Sequence, residues 1–100
     1  PLWEEGGCGF CLDIGHLLLG GESALFHLEA HLPHIREIHL HGVVGYAEHL
    51  GLDVLPLARV RRWLRYLVDA DFRGVVNLEV FSPEDLGASL AMVRRAMAEA

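Results

Sequence analysis

One hundred residues with 52% apolar side chains allow one domain with a modest core. The net charge of −6, carried with 8 arginines and no lysine, argues against nucleic acid as a partner, because phosphate contacts need cationic patches. The apolar residues lie in short runs, not in a stretch of ~20 that crosses a bilayer, and the acidic Pro1-Leu2-Trp3-Glu4-Glu5 lacks the apolar core of a secretory leader. These features predict a soluble, cytoplasmic protein with no membrane partner. The chain opens on Pro1 and reaches a strand almost at once, so we expect a C-terminal piece of something longer.

In chain order, residues 8–13 predict the first strand. Cys8 and Cys11 form a Cys-x-x-Cys. A redox pair would open a helix, and a zinc half-site needs a second such pair. Both cysteines therefore read as small apolar residues of a buried strand. Gly20-Gly21 breaks the chain, and Glu22–Leu32 has helical spacing with Leu25, Leu28 and Leu32 on one face. Pro33 stops that helix. The second strand is Ile35–His41, closed by Gly42, and residues 42–55 read as a glycine-containing loop carrying Glu48 and His49.

Pro56 suits the first turn of a helix whose apolar face is Leu57, Val60, Leu64 and Leu67. Arg59, Arg62 and Arg65 point to solvent. Gly74 precedes the third strand, Val75–Val80. Ser82-Pro83-Glu84-Asp85 supplies a cap, a proline at the first helical position and acids in the first turn. The last helix follows, with Leu86, Leu90, Val93 and Met97 expected to face the core.

The order β-α-β-loop-α-β-α, with apolar strands read as buried on both faces, predicts an α/β fold: a parallel sheet covered by helices. Three strands cannot close a barrel, and a whole (β/α)8 TIM barrel needs roughly 250 residues. The expectation is the C-terminal part of such a barrel, about three βα units.

Three apolar strands end in metal-type ligands: Asp13, His39 with His41, and Glu79. Parallel α/β folds bind ligands at the carboxyl ends of their strands. A period of two places Cys11 and Asp13 on one strand face, His39 and His41 on the next, and Asn77 and Glu79 on the third. Carboxylate with imidazole suits Mn²⁺, Zn²⁺, Fe²⁺ or Mg²⁺ as a divalent-metal cofactor. Simpler roles compete. Asp13 suits a cap on the turn at Gly15, His39 suits a hydrogen-bonded interior histidine, and His41 suits orienting a ligand. Glu79 in an apolar strand is costly to bury unpaired. His27, His31 and His34 read as solvated.

The segments CLDIGH, IHLHG, a loop histidine and NLEVF, in that order, resemble the C-terminal half of the xylose-isomerase-like TIM barrels. That superfamily includes sugar-phosphate isomerases and epimerases and the AP endonuclease family 2 enzymes. The resemblance covers nearly all of residues 1–100 and implies that Asp13, His39 and Glu79 bind metal. It implies that Glu79 is also an acid/base in epimerases. His16 would touch substrate in isomerases, or a further zinc in endonucleases. The family's other metal-binding Glu, from an earlier strand, has no counterpart here. The Asp-x-His of the endonucleases reads Ala47-Glu48-His49, so Ala47 stands at the Asp position and Glu48 is its neighbour. This counts against a DNA-repair endonuclease. DIGHLLLGGE, HLHGV and LEVFSPEDL are similar to the cobamide-remodelling phosphodiesterases, which cut the nucleotide loop of corrinoids.

Three functions follow as expectations. The first is a metal-dependent isomerase or epimerase of a sugar or sugar phosphate, with Glu79 moving a proton at carbon and His16 positioning a substrate oxygen. The second is a metal-dependent phosphodiesterase, with one ion on Asp13, His39 and Glu79 and another on His16 and His49. Glu48, His16 and His49 decide between the two, and His41, Glu48 and Asn77 are expected near substrate or behind the ligands. The third is an inactive part-barrel, whose open strand edges pair with a second copy or with an N-terminal barrel half.

Overall fold

The computed structural model describes residues 10–98. Its elements are β1 (Phe10–Asp13), α1 (Ile14–Leu19), α2 (Ala24–His31), a 3-10 turn (Leu32–His34), β2 (Ile35–Leu40) and the short strands β3 (Gly42–Val44) and β4 (Ala47–Leu50). A second 3-10 turn (Leu52–Val54), α3 (Leu57–Asp69), β5 (Val75–Leu78) and α4 (Pro83–Ala98) complete it. β1, β2 and β5 form a parallel sheet in that spatial order, with Asp13 opposite His39, and His39 opposite Asn77. The chain is therefore an α/β fold with a parallel three-stranded sheet and helices.

The strand period of two divides the sheet into unlike faces. Leu12, Ile38 and Leu40 point into a core completed by Leu28 of α2 and by Val60, Trp63, Leu64 and Leu67 of α3. On the other face, Cys11, Val75 and Asn77 are exposed. The expectation of strands buried on both faces is therefore corrected: helices supply one layer, and nothing among the described residues covers the second face. Cys11 is likewise exposed instead of buried, and Cys8 lies outside the described residues.

Other expectations change for local reasons. Ile14–Leu19, which the spacing left unassigned, is a helix, because Asp13 caps it by accepting the His16 N–H at 2.9 Å. The expected loop 42–55 contains an antiparallel hairpin of β3 and β4, followed by a 3-10 turn. The turn is tied to α4 by the Leu52 N–H, which donates to the buried Ser89 hydroxyl at 3.0 Å. Ser89 therefore lies on the inward side of α4. Ser89, Met92 and Ala96 face inward, while Leu86, Leu90 and Met97 of the expected core face are 43%, 38% and 42% exposed.

Together with Val76, Leu78, Val93 and Leu67, Leu90 and Met97 line an open apolar groove of about 380 Å³ beside β5. The start of α4 is as the sequence predicts: Ser82 Oγ accepts the Asp85 N–H at 3.0 Å. His27, His31 and His34 are half-buried and not fully solvated, with His27 against Glu22 at 3.3 Å. No helix among the described residues is long and apolar enough to cross a membrane.

Candidate metal centre at the carboxyl edge of the sheet

Parallel pairing delivers Asp13, His39 and Glu79 to one edge. β1 ends on Asp13 and β2 carries His39 directly opposite. The ladder continues past β5, because the Glu79 N–H donates to the Leu40 carbonyl at 2.9 Å. One donor atom from each of the three side chains lies within 4.8 Å of the others. His39 Nδ1 stands 2.7 Å from Glu79 Oε2 and 3.9 Å from Asp13 Oδ2. Glu79 Oε2 is buried, and no donor reaches it with hydrogen-bond geometry in spite of that proximity. A buried carboxylate oxygen in that state is costly without a cation. The donor set is the one a divalent ion takes, so the residues fit such an ion.

The two oxygens of Asp13 have different duties. Oδ1 accepts the His16 N–H and faces His41 Nε2 at 3.1 Å. Oδ2 is left toward His39 and toward His16 Nδ1, which lies at 3.5 Å. Both sequence readings of Asp13 therefore have a structural basis, one on each oxygen.

His39 is oriented from behind. Its Nε2 is hydrogen-bonded to Glu37 Oε2, two residues earlier on the same strand face. A proton on Nε2 leaves Nδ1 as the free donor toward Asp13 and Glu79, the carboxylate–histidine arrangement that fixes tautomers at metal sites. The bond to Glu37 raises the His39 pKa, with Glu79, Glu37 and Asp13 adding in the same direction and burial opposing. Burial and the carboxylates of Glu37, Asp13 and Glu79 push the Cys11 thiol up as well.

A second set of donors adjoins the first. His16, His41 and His49 offer nitrogens within 4.8 Å of one another, but their hydrogen bonds assign them different parts. Fully buried His41 accepts the His49 N–H on Nδ1 at 2.9 Å, so its proton sits on Nε2 and points to Asp13. His41 thus has no free nitrogen for an ion and acts as a brace for Asp13. His49 donates from Nδ1 to the Glu79 carbonyl at 3.1 Å, leaving Nε2 free, 3.5 Å from Glu48 Oε1. His16 Nε2 lies 3.9 Å from Glu48 Oε2, and the His16 side chain is 59% exposed at the mouth. His49, His16 and Glu48 therefore form the outer donor group.

Two backbone features make this packing possible. His49 adopts φ 59°, a left-handed conformation uncommon outside glycine. Its ring stacks on His41 with centroids 4.3 Å apart and lies 4.7 Å from Phe81. At Gly15, a Cβ would fall inside the His41 imidazole, so the glycine of the Asp-x-Gly-His segment is the space that His41 fills.

All the sequence-predicted residues except Asn77 join this constellation through a contact. Asn77 sits beside His39 in register on the exposed face. Sequence reasoning missed Glu37, although the period of two that linked His39 with His41 also links it with Glu37. No family model, curated protein or solved structure matches this chain.

Proposed function

We propose that this chain is the metal-carrying C-terminal part of a (β/α)8 barrel of the xylose-isomerase-like kind, and that the complete barrel is a divalent-metal-dependent phosphodiesterase. One observation carries the reading: His16 and His49, whose nitrogens lie within 4.8 Å of one another, stand beside Asp13, His39 and Glu79, with Asp13 next to His16 and Glu48 within 3.9 Å of His16 and 3.5 Å of His49. Paired divalent ions supply charge for the oxygens of a phosphodiester and activation for water. Asp13, His39 and Glu79 are assigned to the inner ion, and His16, His49 and Glu48 to the outer one. His41 holds Asp13 and Glu37 holds His39. His16, the most exposed, meets the substrate first.

The net charge of −6 and Ala47 at the loop position both weigh against nucleic acid as substrate. A corrinoid phosphodiester is the substrate class that the sequence resemblance favours. A barrel sector is supported by strands paired in parallel and in chain order, with helices on one face and ligands on the other. The open face and the exposed Val75, Val76, Leu90 and Met97 then belong against the remainder of a barrel, or against a second copy.

A second reading, the isomerase or epimerase of a sugar phosphate, is favoured by Glu79 itself. A buried carboxyl oxygen without a hydrogen bond suits a group that exchanges a proton with carbon. The number of ions separates the two. Equilibrium dialysis of the chain against Mn²⁺ or Zn²⁺ should find two ions, one lost in His49→Ala and both weakened in Asp13→Ala. A single ion indifferent to His49→Ala and His16→Ala would favour isomerisation. No ion at all would overturn both and leave the self-associating part-barrel.

A further inference from the structure

A third group of donors lies on the open face of the sheet, one step from the carboxyl edge. Cys11 and Glu37 are directly opposite one another on β1 and β2, and His39 is two residues beyond Glu37. Cys11 Sγ, a Glu37 oxygen and a His39 nitrogen lie within 4.8 Å of one another. Cys11 is exposed and the Glu37 side chain is 42% exposed, so the group opens to solvent among the described residues. Sulfur with nitrogen and oxygen is a different chemistry from the nitrogen-and-oxygen set of Asp13, His39 and Glu79. It selects zinc-class and cadmium-class ions over magnesium or manganese.

We propose that Cys11, Glu37 and His39 form a thiol-containing cation site that competes with the Asp13–His39–Glu79 site for the one imidazole they share. The competition rests on the metal reading above, whereas the thiol site stands independently of it. A neutral imidazole has one unprotonated nitrogen at a time. With the proton on Nε2, held by Glu37, Nδ1 serves the inner site. When a thiophilic ion enters, the Cys11 thiol releases its proton to solvent. The imidazole proton passes from Nε2 to Nδ1, and Nε2 binds the ion. Nδ1–H then lies 2.7 Å from Glu79 Oε2 and places positive charge beside that carboxylate. Either ion is thus accommodated, but not both on a neutral ring. Zinc-class ions in excess would act as inhibitors of an enzyme that works with manganese.

The test is a Cd²⁺ titration of the metal-free chain, read by the near-ultraviolet thiolate-to-cadmium absorption, followed by competition against Mn²⁺ read by electron paramagnetic resonance. The absorption should saturate at one Cd²⁺ per chain, persist in Cys8→Ser, vanish in Cys11→Ser, and need at least about tenfold more Cd²⁺ in Glu37→Gln. Cd²⁺ sufficient to saturate the thiolate band should release the inner Mn²⁺, the one that needs His39, from the wild-type chain but not from Cys11→Ser. Cys11 is exposed, so its serine variant keeps the fold, which circular dichroism checks. Absence of the band, its survival in Cys11→Ser, or an unchanged Glu37→Gln titration would overturn the site. A normal band with the inner Mn²⁺ retained would overturn the competition. A normal band in a chain that never binds Mn²⁺ would remove the metal reading above and leave the thiol site standing.

Discussion

The two faces of the three-stranded sheet are built from alternate residues of the same strands, yet they do opposite things. Leu12, Ile38 and Leu40 meet helices and are almost entirely buried. Their burial is complete within the chain and holds the fold. Cys11, Asp13, Glu37, His39 and Glu79 turn the other way, where side chains remain partly open and polar atoms crowd one another. One face is satisfied by packing, and the other by hydrogen bonds that leave Glu79 Oε2 without a partner. The division predicts that substitutions on the helix side cost stability, whereas those on the open side cost ligand.

The largest expected effect falls on the packed face. Ile38→Ala removes a fully buried side chain and should cost about 2–5 kcal/mol, read by denaturant unfolding. In a domain with so modest a core this threatens folding altogether. Asp13→Asn, on the open face, should instead leave a folded chain that no longer holds the inner ion. If Asp13→Asn unfolded the chain while Ile38→Ala did not, the division between the faces would collapse.

Gly15→Ala tests the junction between the two. Its Cβ collides with the His41 ring, so His41 must leave Asp13 or the helix must shift. Overpacking of this kind costs about 1–3 kcal/mol. A paired thermal melt and Mn²⁺ titration should show both quantities falling together. Glu37→Gln comes next: it keeps the volume, removes the charge behind His39, and should weaken the inner ion by roughly 10–100-fold with little change in melting temperature.

The smallest effect is a pH dependence. The His39 pKa is raised in the folded chain, chiefly by its bond to Glu37. Its contribution to metal-free stability is therefore fully present below the unfolded value, about 6.5, and is lost as pH rises through the folded one. Metal affinity should run the other way, falling on acidification because the proton competes with the ion. In Glu37→Gln the metal-free melting temperature should depend less on pH across this range. An equal slope in both proteins would mean that another group titrates there.

Much of this division can be read along the chain. The alternation that placed Asp13, His39 and Glu79 at strand ends also fixes them to one edge, because parallel strands of similar length bring their carboxyl ends together. The cap at Ser82 and the apolar face of α3 are local facts of spacing. By contrast, the apolar stripe of α4 misled. Helical periodicity names a stripe but not the surface it meets, and in the fold Ser89, Met92 and Ala96 go inward, with Ser89 bonded to Leu52. The hairpin within residues 42–55 was hidden by its glycines and by the brevity of its strands.

By itself, then, the sequence determined the order of the three parallel strands and the longer helices, the α/β class and the identity of most candidate donors, since these depend on periods of two and 3.6 and on residue chemistry. Tertiary structure alone decided how each donor is used. The His49 N–H on Nδ1 makes His41 a brace and not a ligand, and the Glu79 carbonyl leaves His49 Nε2 free. Glu37 turns His39 Nδ1 toward the edge. Each is a choice of tautomer, set by hydrogen bonds between residues distant in the chain or across a strand face. No one-dimensional pattern records which nitrogen of a histidine carries its proton.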